Sequence, residues 1–281
     1  MSCHPSSRRE ILAMLGAGAL IPRVARSAEA GLQFVAVDHL GITVSDPGQS
    51  AAFYARIFGG AVYKNNKTTQ RYVKLGPAYI SIRPAGRQSK GYGVDHICPG
   101  VAAFDLSTVQ ATLKSLGVRA REVAGFGMFA EDPDGTEFQL WTADSWSESV
   151  KTASPESYPD AGEPIFTPTG IDHILLNVTD LGGSVAFYEK LFGPVTRRGN
   201  NRTWFQAGKS QIGLLPVAGG RKPGVNHFCV AAASFEYQAA VKRLAGAGAK
   251  VESTEVSGAP EFRDPDGILV QVMAPRTLTN R

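Results

Sequence analysis

Four of the five histidines in this 281-residue chain occupy the same place in a repeated pattern. Each follows an apolar residue and then an acidic or amide residue, and a mostly apolar run comes after it. The four copies are Val37-Asp38-His39, Val94-Asp95-His96, Ile171-Asp172-His173 and Val225-Asn226-His227. A pattern that recurs in this way indicates that one small structural unit is used four times.

Two further motifs set the register of the repeat. A helix motif, Ser-x-x-Phe-Tyr-x-x-x-Phe-Gly, starts at Ser50 and recurs at Ser184, and the turn Asp-Pro-Asp-Gly starts at Asp132 and recurs at Asp264. The two copies of the helix motif and the two copies of the turn motif are separated by similar lengths of chain. The sequence therefore predicts two halves of about 110 residues, each with two units of about 50 to 60 residues.

Each unit has the element order βαβββ. In the first unit, residues 46–48 are expected to form a turn and residues 50–58 a helix; the predicted strands are 35–44, 61–64, 70–75 and 79–83. The second unit repeats this order, with a helix at 106–116 and strands at 94–101, 120–123, 128–131 and 137–141. Asp-Pro-Asp-Gly is predicted to be a hairpin turn, because proline presets one dihedral and glycine accepts the left-handed position.

The chain is expected to divide into five segments. The Ser-, Pro- and Glu-rich composition of residues 143–167 is typical of a linker between halves. The segments are a leader at 1–30, a first domain at 31–142, the linker at 143–167, a second domain at 168–275 and a short tail at 276–281.

The leader has the features of an export signal. It contains the twin-arginine pair Arg8-Arg9, a short apolar run at 11–21, and the small-residue ending Ala28-Glu29-Ala30. The apolar run is too short to span a bilayer, and no other stretch is a membrane candidate. We expect the twin-arginine export machinery to be a partner and the mature protein to be periplasmic or secreted by a bacterium.

Charge and cysteine content argue against a nucleic-acid-binding protein and against a protein built on a disulfide framework. The formal net charge of +4 falls to +2 when residues 1–30, with four arginines and two glutamates, are removed. That value is too small for a nucleic-acid-binding surface. The mature cysteines, Cys98 and Cys229, lie at equivalent positions in different halves, so they do not indicate a disulfide framework.

Taken together, the Asp-His strands, the helix motif and the Asp-Pro-Asp-Gly hairpin resemble the vicinal oxygen chelate superfamily. That superfamily includes glyoxalase I, extradiol dioxygenases and the metal-free bleomycin-resistance proteins. The resemblance covers nearly all of the mature chain. It implies an α+β fold in which four βαβββ units pair into two domains, each a cupped sheet around a metal.

The resemblance also implies the metal ligands. The family places one ligand on the first strand of each unit and a glutamate four residues after the glycine of the turn. Here the first positions hold histidine in both halves, but the glutamate is replaced by glutamine. The expected ligands are His39, His96 and Gln139 in the first half. In the second half they are His173, His227 and Gln271. A further position used by some families holds Ser81 or Gly213, so no ligand is expected there.

Replacement of the carboxylate by an amide changes the expected chemistry. A divalent ion held by neutral ligands keeps its full charge, so its resting affinity should fall and its Lewis acidity toward an anionic substrate should rise. Iron(II) is the favoured metal, with zinc, manganese, nickel or cobalt as alternatives. Gln139 and Gln271 could instead simply hydrogen-bond a histidine.

Other candidate residues lie near these positions. Glu137 is two residues before Gln139 and so shares its strand face. It is therefore a weak candidate for a catalytic group. For the same reason, the first half is expected to be the more active one. Cys98 and Cys229 either line the cup or act as small buried apolar residues. The Phe-Tyr pairs of the helix motif are predicted to be helix core.

Three functions remain open from the sequence. The first is an extradiol-type dioxygenase, the second a lyase or isomerase of glyoxalase or epimerase type, and the third a metal-free small-molecule binder of bleomycin-resistance type. All three imply a small-molecule substrate or ligand. Because the tandem halves already supply the pairing of two domains, the protein is expected to be a monomer or a homodimer.

Overall fold

The computed structural model describes residues 31–86, 91–252 and 258–275. The leader at 1–30 and the tail at 276–281 lie outside the described residues, and the export signal stays a prediction. Among the described residues, no helix has the length and apolar character needed to cross a membrane.

The first half contains both predicted units. Its elements are β1 (Phe34–Val44), α1 (Pro47–Phe58), β2 (Val62–Asn65), β3 (Arg71–Leu75), β4 (Ala78–Pro84), β5 (Gly93–Val101), α2 (Leu106–Ser115), β6 (Ala120–Val123), β7 (Gly127–Glu131), β8 (Glu137–Thr142), α3 (Trp146–Val150) and β9 (Ala153–Glu156). A 3₁₀ turn follows at Pro159–Ala161.

The second half repeats this order. Its elements are β10 (Pro168–Val178), α4 (Leu181–Phe192), β11 (Arg197–Gly199), β12 (Arg202–Ala207), β13 (Ser210–Pro216), β14 (Gly224–Ala232), α5 (Tyr237–Gly246), β15 (Lys250–Glu252), β16 (Glu261–Arg263) and β17 (Leu269–Met273).

Each half forms one cupped, mixed sheet. The strand order is β6-β7-β8-β5-β1-β4-β3-β2-β9 in the first half and β11-β12-β13-β10-β14-β17-β16-β15 in the second. The first strands of the two units lie side by side and antiparallel, as β1 with β5 and β10 with β14. The predicted α+β fold of four βαβββ units is confirmed, and the histidine-bearing strands lie at the middle of each sheet.

Helix α1 begins earlier than the sequence predicted. The turn expected at residues 46–48 is wrong, because Pro47 and Gly48 already belong to the helix. The Asp46 side chain caps it by accepting hydrogen bonds from the backbone N–H groups of Gly48 and Gln49. This is an N-cap followed by proline at the first helical position, where its missing N–H costs nothing.

The segment predicted as a linker is structured. Strand β9 pairs with β2 and extends the first sheet, and α3 precedes it. Arg71 of β3 forms an ion pair with Glu156 of β9, with 3.0 Å between Nε and Oε2. Residues 143–156 therefore belong to the first sheet, and only the stretch after them joins the halves.

The two halves share one hydrophobic core, and the two motifs that set the repeat meet across it. Tyr54 of α1 is fully buried and donates a hydrogen bond of 2.9 Å to Asp264, in the turn of the other half. Tyr188 of α4 donates in the same way to Asp132, at 2.8 Å. Each half thus supplies the hydrogen-bond acceptor for the helix of the other.

Candidate metal centres

A β-bulge underlies each Asp-His pair. In a regular strand adjacent side chains point to opposite faces, so Asp38 could not reach the ring of His39. In β1, however, Val37 pairs with Pro99 and His39 with Cys98, which leaves Asp38 as an extra residue. The bulge turns both side chains to one face, and Asp95, Asp172 and Asn226 are the extra residues of the other three strands.

Each bulge residue holds the Nδ1 atom of its histidine. The distances from Nδ1 to the bulge oxygen are 2.9 Å for His39, 2.8 Å for His96, 2.6 Å for His173 and 2.8 Å for His227. A carboxylate or amide oxygen only accepts, so each ring donates from Nδ1 and directs Nε2 away from the bulge residue.

The Nε2 atoms of each half converge. His39 Nε2 lies 3.3 Å from His96 Nε2, and His173 Nε2 lies 3.2 Å from His227 Nε2. We call these pairs, with the glutamine of each half, centre 1 and centre 2. All four rings are at most 7% exposed. Two Nε2 atoms at this distance can share a proton or a cation that lies between them.

Gln139 adds an amide oxygen to centre 1. Its Oε1 lies 3.0 Å from His39 Nε2, and its amide Nε2 donates to the backbone carbonyl of Phe126 at 2.8 Å. The bond to Phe126 fixes the amide orientation, so the oxygen faces the histidine.

Burial lowers the pKa of one histidine in each centre. Burial, together with the charge of neighbouring His39, lowers the pKa of His96 to about 4. Burial and the charges of His173 and Arg202 lower the pKa of His227 to about 3. Near neutral pH these two imidazoles are available as ligands and not as acids.

The donor set fits a divalent metal ion. A metal about 2.1 Å from two nitrogens that are 3.3 Å apart would see them roughly 100° apart, between octahedral and tetrahedral angles. Neutral imidazoles with a hydrogen-bonded Nδ1 are the usual form of a histidine ligand. The residues present therefore fit the group that the sequence pattern predicted.

A hydrogen-bond relay supports centre 1 from behind. Ser145, at the start of α3, donates to the Asp38 carboxylate through Oγ at 2.5 Å and through its backbone N–H at 3.1 Å. Burial raises the pKa of Asp38, but its bonds to His39 and Ser145 hold that pKa below the usual value. Tyr79 lies 2.8 Å from Ser145 Oγ and stacks on the ring of His39.

Residues 170–272 match the family model described as Glyoxalase/Bleomycin resistance protein/Dioxygenase superfamily. The match covers most of the second half of the chain. A search of curated protein sequences found no match.

Several solved structures resemble the chain over most of its length. The Mn(II)-bound glyoxalase from Novosphingobium aromaticivorans is 17% identical with a TM-score of 0.61, covering 87% of this chain and 83% of that one. A catechol 2,3-dioxygenase is 14% identical with a TM-score of 0.64, covering 88% and 91%. Homoprotocatechuate 2,3-dioxygenase from Arthrobacter globiformis is 16% identical with a TM-score of 0.61, covering 86% and 81%. At these identities the likeness shows the fold alone.

The two centres differ in the residues beside their histidines. In half 1 the ring of His96 lies over Gly41, where an added Cβ would come within 2.1 Å of it. In half 2 the equivalent partner of His227 is Leu175. Trp204 also packs there, over Gly213, with its ring 5.2 Å from that of His173. Centre 1 therefore has a glycine at the position where centre 2 has a leucine.

The other predicted residues are Glu137, Cys98 and Cys229. They lie near the centres but are not among the histidines and glutamines that define them. Glu137 forms an ion pair with Arg121 at the side of centre 1. Cys98 and Cys229 are fully buried; each lies in a cluster with the Asp and His of its own half, within 4.8 Å. Burial raises the pKa of the Cys98 thiol well above its usual value, with Asp38 adding to the effect.

Centre 2 contains a carboxylate that sequence reasoning missed. Gln271 donates from Nε2 to Glu261 at 2.8 Å. Glu261 lies opposite Gln271 in the hairpin of β16 and β17, where half 1 has Phe129 opposite Gln139. Counting outward from both sides of the Asp-Pro-Asp-Gly turn would have found this pair, because the turn fixes the hairpin register.

Proposed function

We propose that this protein is a metal-dependent enzyme that acts on a small chelating oxygenated substrate, with extradiol-type dioxygenase chemistry the favoured reaction. The observation that carries the proposal is the convergence of buried histidine Nε2 atoms, 3.3 Å apart in centre 1 and 3.2 Å apart in centre 2. Each ring is oriented by a bulge residue through Nδ1, and two buried imidazoles that direct Nε2 to one point support a metal site. Iron(II) is the favoured ion.

A bound divalent metal would supply Lewis acidity and open positions for two substrate oxygens. The protein's own residues do the rest. Asp38 and Asp95 hold His39 and His96 in the tautomer that presents Nε2, and Ser145 holds Asp38. Because the ligands are neutral, the positive charge of the metal ion would be neutralised only by an anionic substrate such as a catecholate or enolate. Such a substrate therefore binds with the metal and not before it.

The aromatic surroundings of centre 1 support an aromatic substrate. Tyr79 stacks on His39 with 4.5 Å between ring centroids, and Phe129 meets the edge of His96 at 5.9 Å. Phe126, which is 50% exposed, packs on Trp141, two residues after Gln139. These rings offer apolar contact to a planar ring and exclude water from the ligands.

A lyase or isomerase of glyoxalase or epimerase type is the second candidate, favoured by Glu261. Such reactions need a group that moves a proton beside the metal. Burial raises the pKa of Glu261, although its bond to Gln271 acts against this, so it is a better proton acceptor than an exposed glutamate.

The test is the metal content of residues 31–281 purified without chelator. The wild type is compared with His39→Ala/His96→Ala and with His173→Ala/His227→Ala. We expect a transition metal near two equivalents, falling by one in each double variant, and oxygen uptake with a panel of catechols if the metal is iron. Absence of metal in all three proteins, even after reconstitution, would refute the proposal and leave a binder of bleomycin-resistance type.

We also propose export to the periplasm or medium through the twin-arginine machinery, as a monomer or homodimer. The support is the pair Arg8-Arg9 ahead of a short apolar run. An Arg8→Lys/Arg9→Lys variant should accumulate in the cytoplasm of a bacterial host, whereas the wild type should appear in the periplasmic fraction. Light scattering of the exported protein gives its oligomeric state.

A further inference from the structure

Glu261 differs from Phe129, its counterpart in half 1, because it brings a negative charge beside the glutamine. In centre 1 the amide of Gln139 is held by the neutral carbonyl of Phe126, at 2.8 Å. In centre 2 the amide of Gln271 is held by the carboxylate of Glu261, also at 2.8 Å. The same amide group thus has a neutral partner in one half and an anionic partner in the other.

The strand register places Glu261 on the face of the histidines. Glu261 pairs with Gln271, Gln271 with Cys229, and Cys229 with His173, across four adjacent strands. Residues that pair directly across neighbouring strands point to the same face of a sheet. The carboxylate is therefore one side chain further from the histidines than Gln271, on the inner face of the cup.

The bulge residues of the second half bring one negative charge fewer than those of the first. Centre 1 has two carboxylates behind its rings, Asp38 and Asp95, whereas centre 2 has Asp172 and the neutral Asn226. A carboxylate that accepts from the amide N–H polarises the amide and makes its oxygen more electron-rich. It also holds the amide so that its oxygen is the atom left for a cation.

We infer that Glu261 is a positioning residue that supplies the missing negative charge to centre 2 through Gln271. This inference rests on the proposed function, because it concerns the metal affinity of the second histidine pair. Groups in this position typically contribute 10- to 100-fold to metal affinity. Centre 2 is thereby a working metal site and not a degenerate copy, with a ligand set of His173, His227 and a carboxylate-backed Gln271.

The experiment isolates centre 2 in the full mature chain by His39→Ala/His96→Ala and titrates it with Mn(II), followed by electron paramagnetic resonance. Glu261→Gln keeps a hydrogen-bond acceptor of the same shape and removes only the charge. Glu252→Gln, on the neighbouring strand β15, makes the same change of charge beside Arg263 and is the matched control.

The expected result is a Kd for Mn(II) about 10- to 100-fold weaker in Glu261→Gln, unchanged in Glu252→Gln, and partly restored in Glu261→Asp. The melting temperature of the metal-free proteins should be the same, because the hydrogen bond remains. Equal Kd values for the parent and Glu261→Gln would overturn this inference alone. A parent that binds no Mn(II) or Fe(II) would overturn the proposed function of centre 2 as well.

Discussion

Replacing Tyr54 by phenylalanine tests how strongly the two halves are coupled. The variant keeps the buried ring and removes the hydroxyl that donates to Asp264. Asp264 still accepts from the backbone N–H groups of Asp266 and Ile268, so it loses one of three donors. Loss of a buried hydrogen bond to a charged group costs about 1.5 to 3 kcal/mol.

The cost translates into a measurable change of Tm. For a chain of this size 1 kcal/mol corresponds to about 2 to 4 °C, so Tyr54→Phe should melt roughly 3 to 12 °C below the wild type. Thermal unfolding followed by circular dichroism at pH 7.5 measures this. Tyr188→Phe should have a similar effect through Asp132, whereas Tyr158→Phe, which removes a half-buried tyrosine–carboxylate bond to Glu156, should cost less than about 1 kcal/mol.

The effect should depend on pH with a definite sign. Burial raises the pKa of Asp264, and the Tyr54 hydroxyl acts against this. A carboxyl whose folded pKa is raised contributes stability that is complete below its unfolded pKa and is lost as the pH rises through the folded pKa. Without the hydroxyl the pKa is raised further and more stability is lost, so the difference from wild type should be large at pH 7.5 and shrink toward pH 3.5. A Tm that is unchanged at pH 7.5, or a deficit that grows in acid, would refute the reasoning.

Three further predictions concern the centres. Gly41→Ala should displace the ring of His96 and lower the metal content by one equivalent, at a cost of about 1 to 3 kcal/mol in stability; metal analysis and urea unfolding measure both, and an unchanged metal content would contradict the close contact. Asp38→Asn should weaken metal binding at centre 1 by about 10- to 100-fold, measured by titration of a variant that retains only that centre; an unaltered Kd would mean that the carboxylate does not orient the ligand. Cys98 and Cys229 are fully buried and should not react with a thiol reagent at pH 8 until urea is added, which a colorimetric thiol count checks.

The repeat made most of the fold predictable. Periodicity and motif spacing identified the four units, and strand and helix bounds came within a few residues because each motif carries its own local physics. His39, His96, His173 and His227 were found because a recurring polar pattern in an apolar strand needs an explanation that one copy would not. Local sequence could not show which strands would pair in a sheet, but the repeat indicated this pairing.

The groups that support the centres were less predictable. Ser145 lies in a segment whose composition is typical of a loose linker, and its contact with Asp38 spans 107 positions of sequence. The bonds of Tyr54 and Tyr188 join different halves, and no local pattern reports a contact of that kind. Glu261 depends on hairpin register, which the turn does fix, so it was within reach of the sequence.

The β-bulges place the metal ligands under the control of the backbone. Asp38 is the extra residue between Val37, opposite Pro99, and His39, opposite Cys98. Deleting that single residue would close the bulge with His39 still opposite Cys98, but the carboxylate beside Nδ1 would be lost. A one-codon deletion could therefore weaken a ligand of the proposed centre 1 while the sheet and core were retained. Loss and gain of metal in such folds then need not pass through substitution of a ligand.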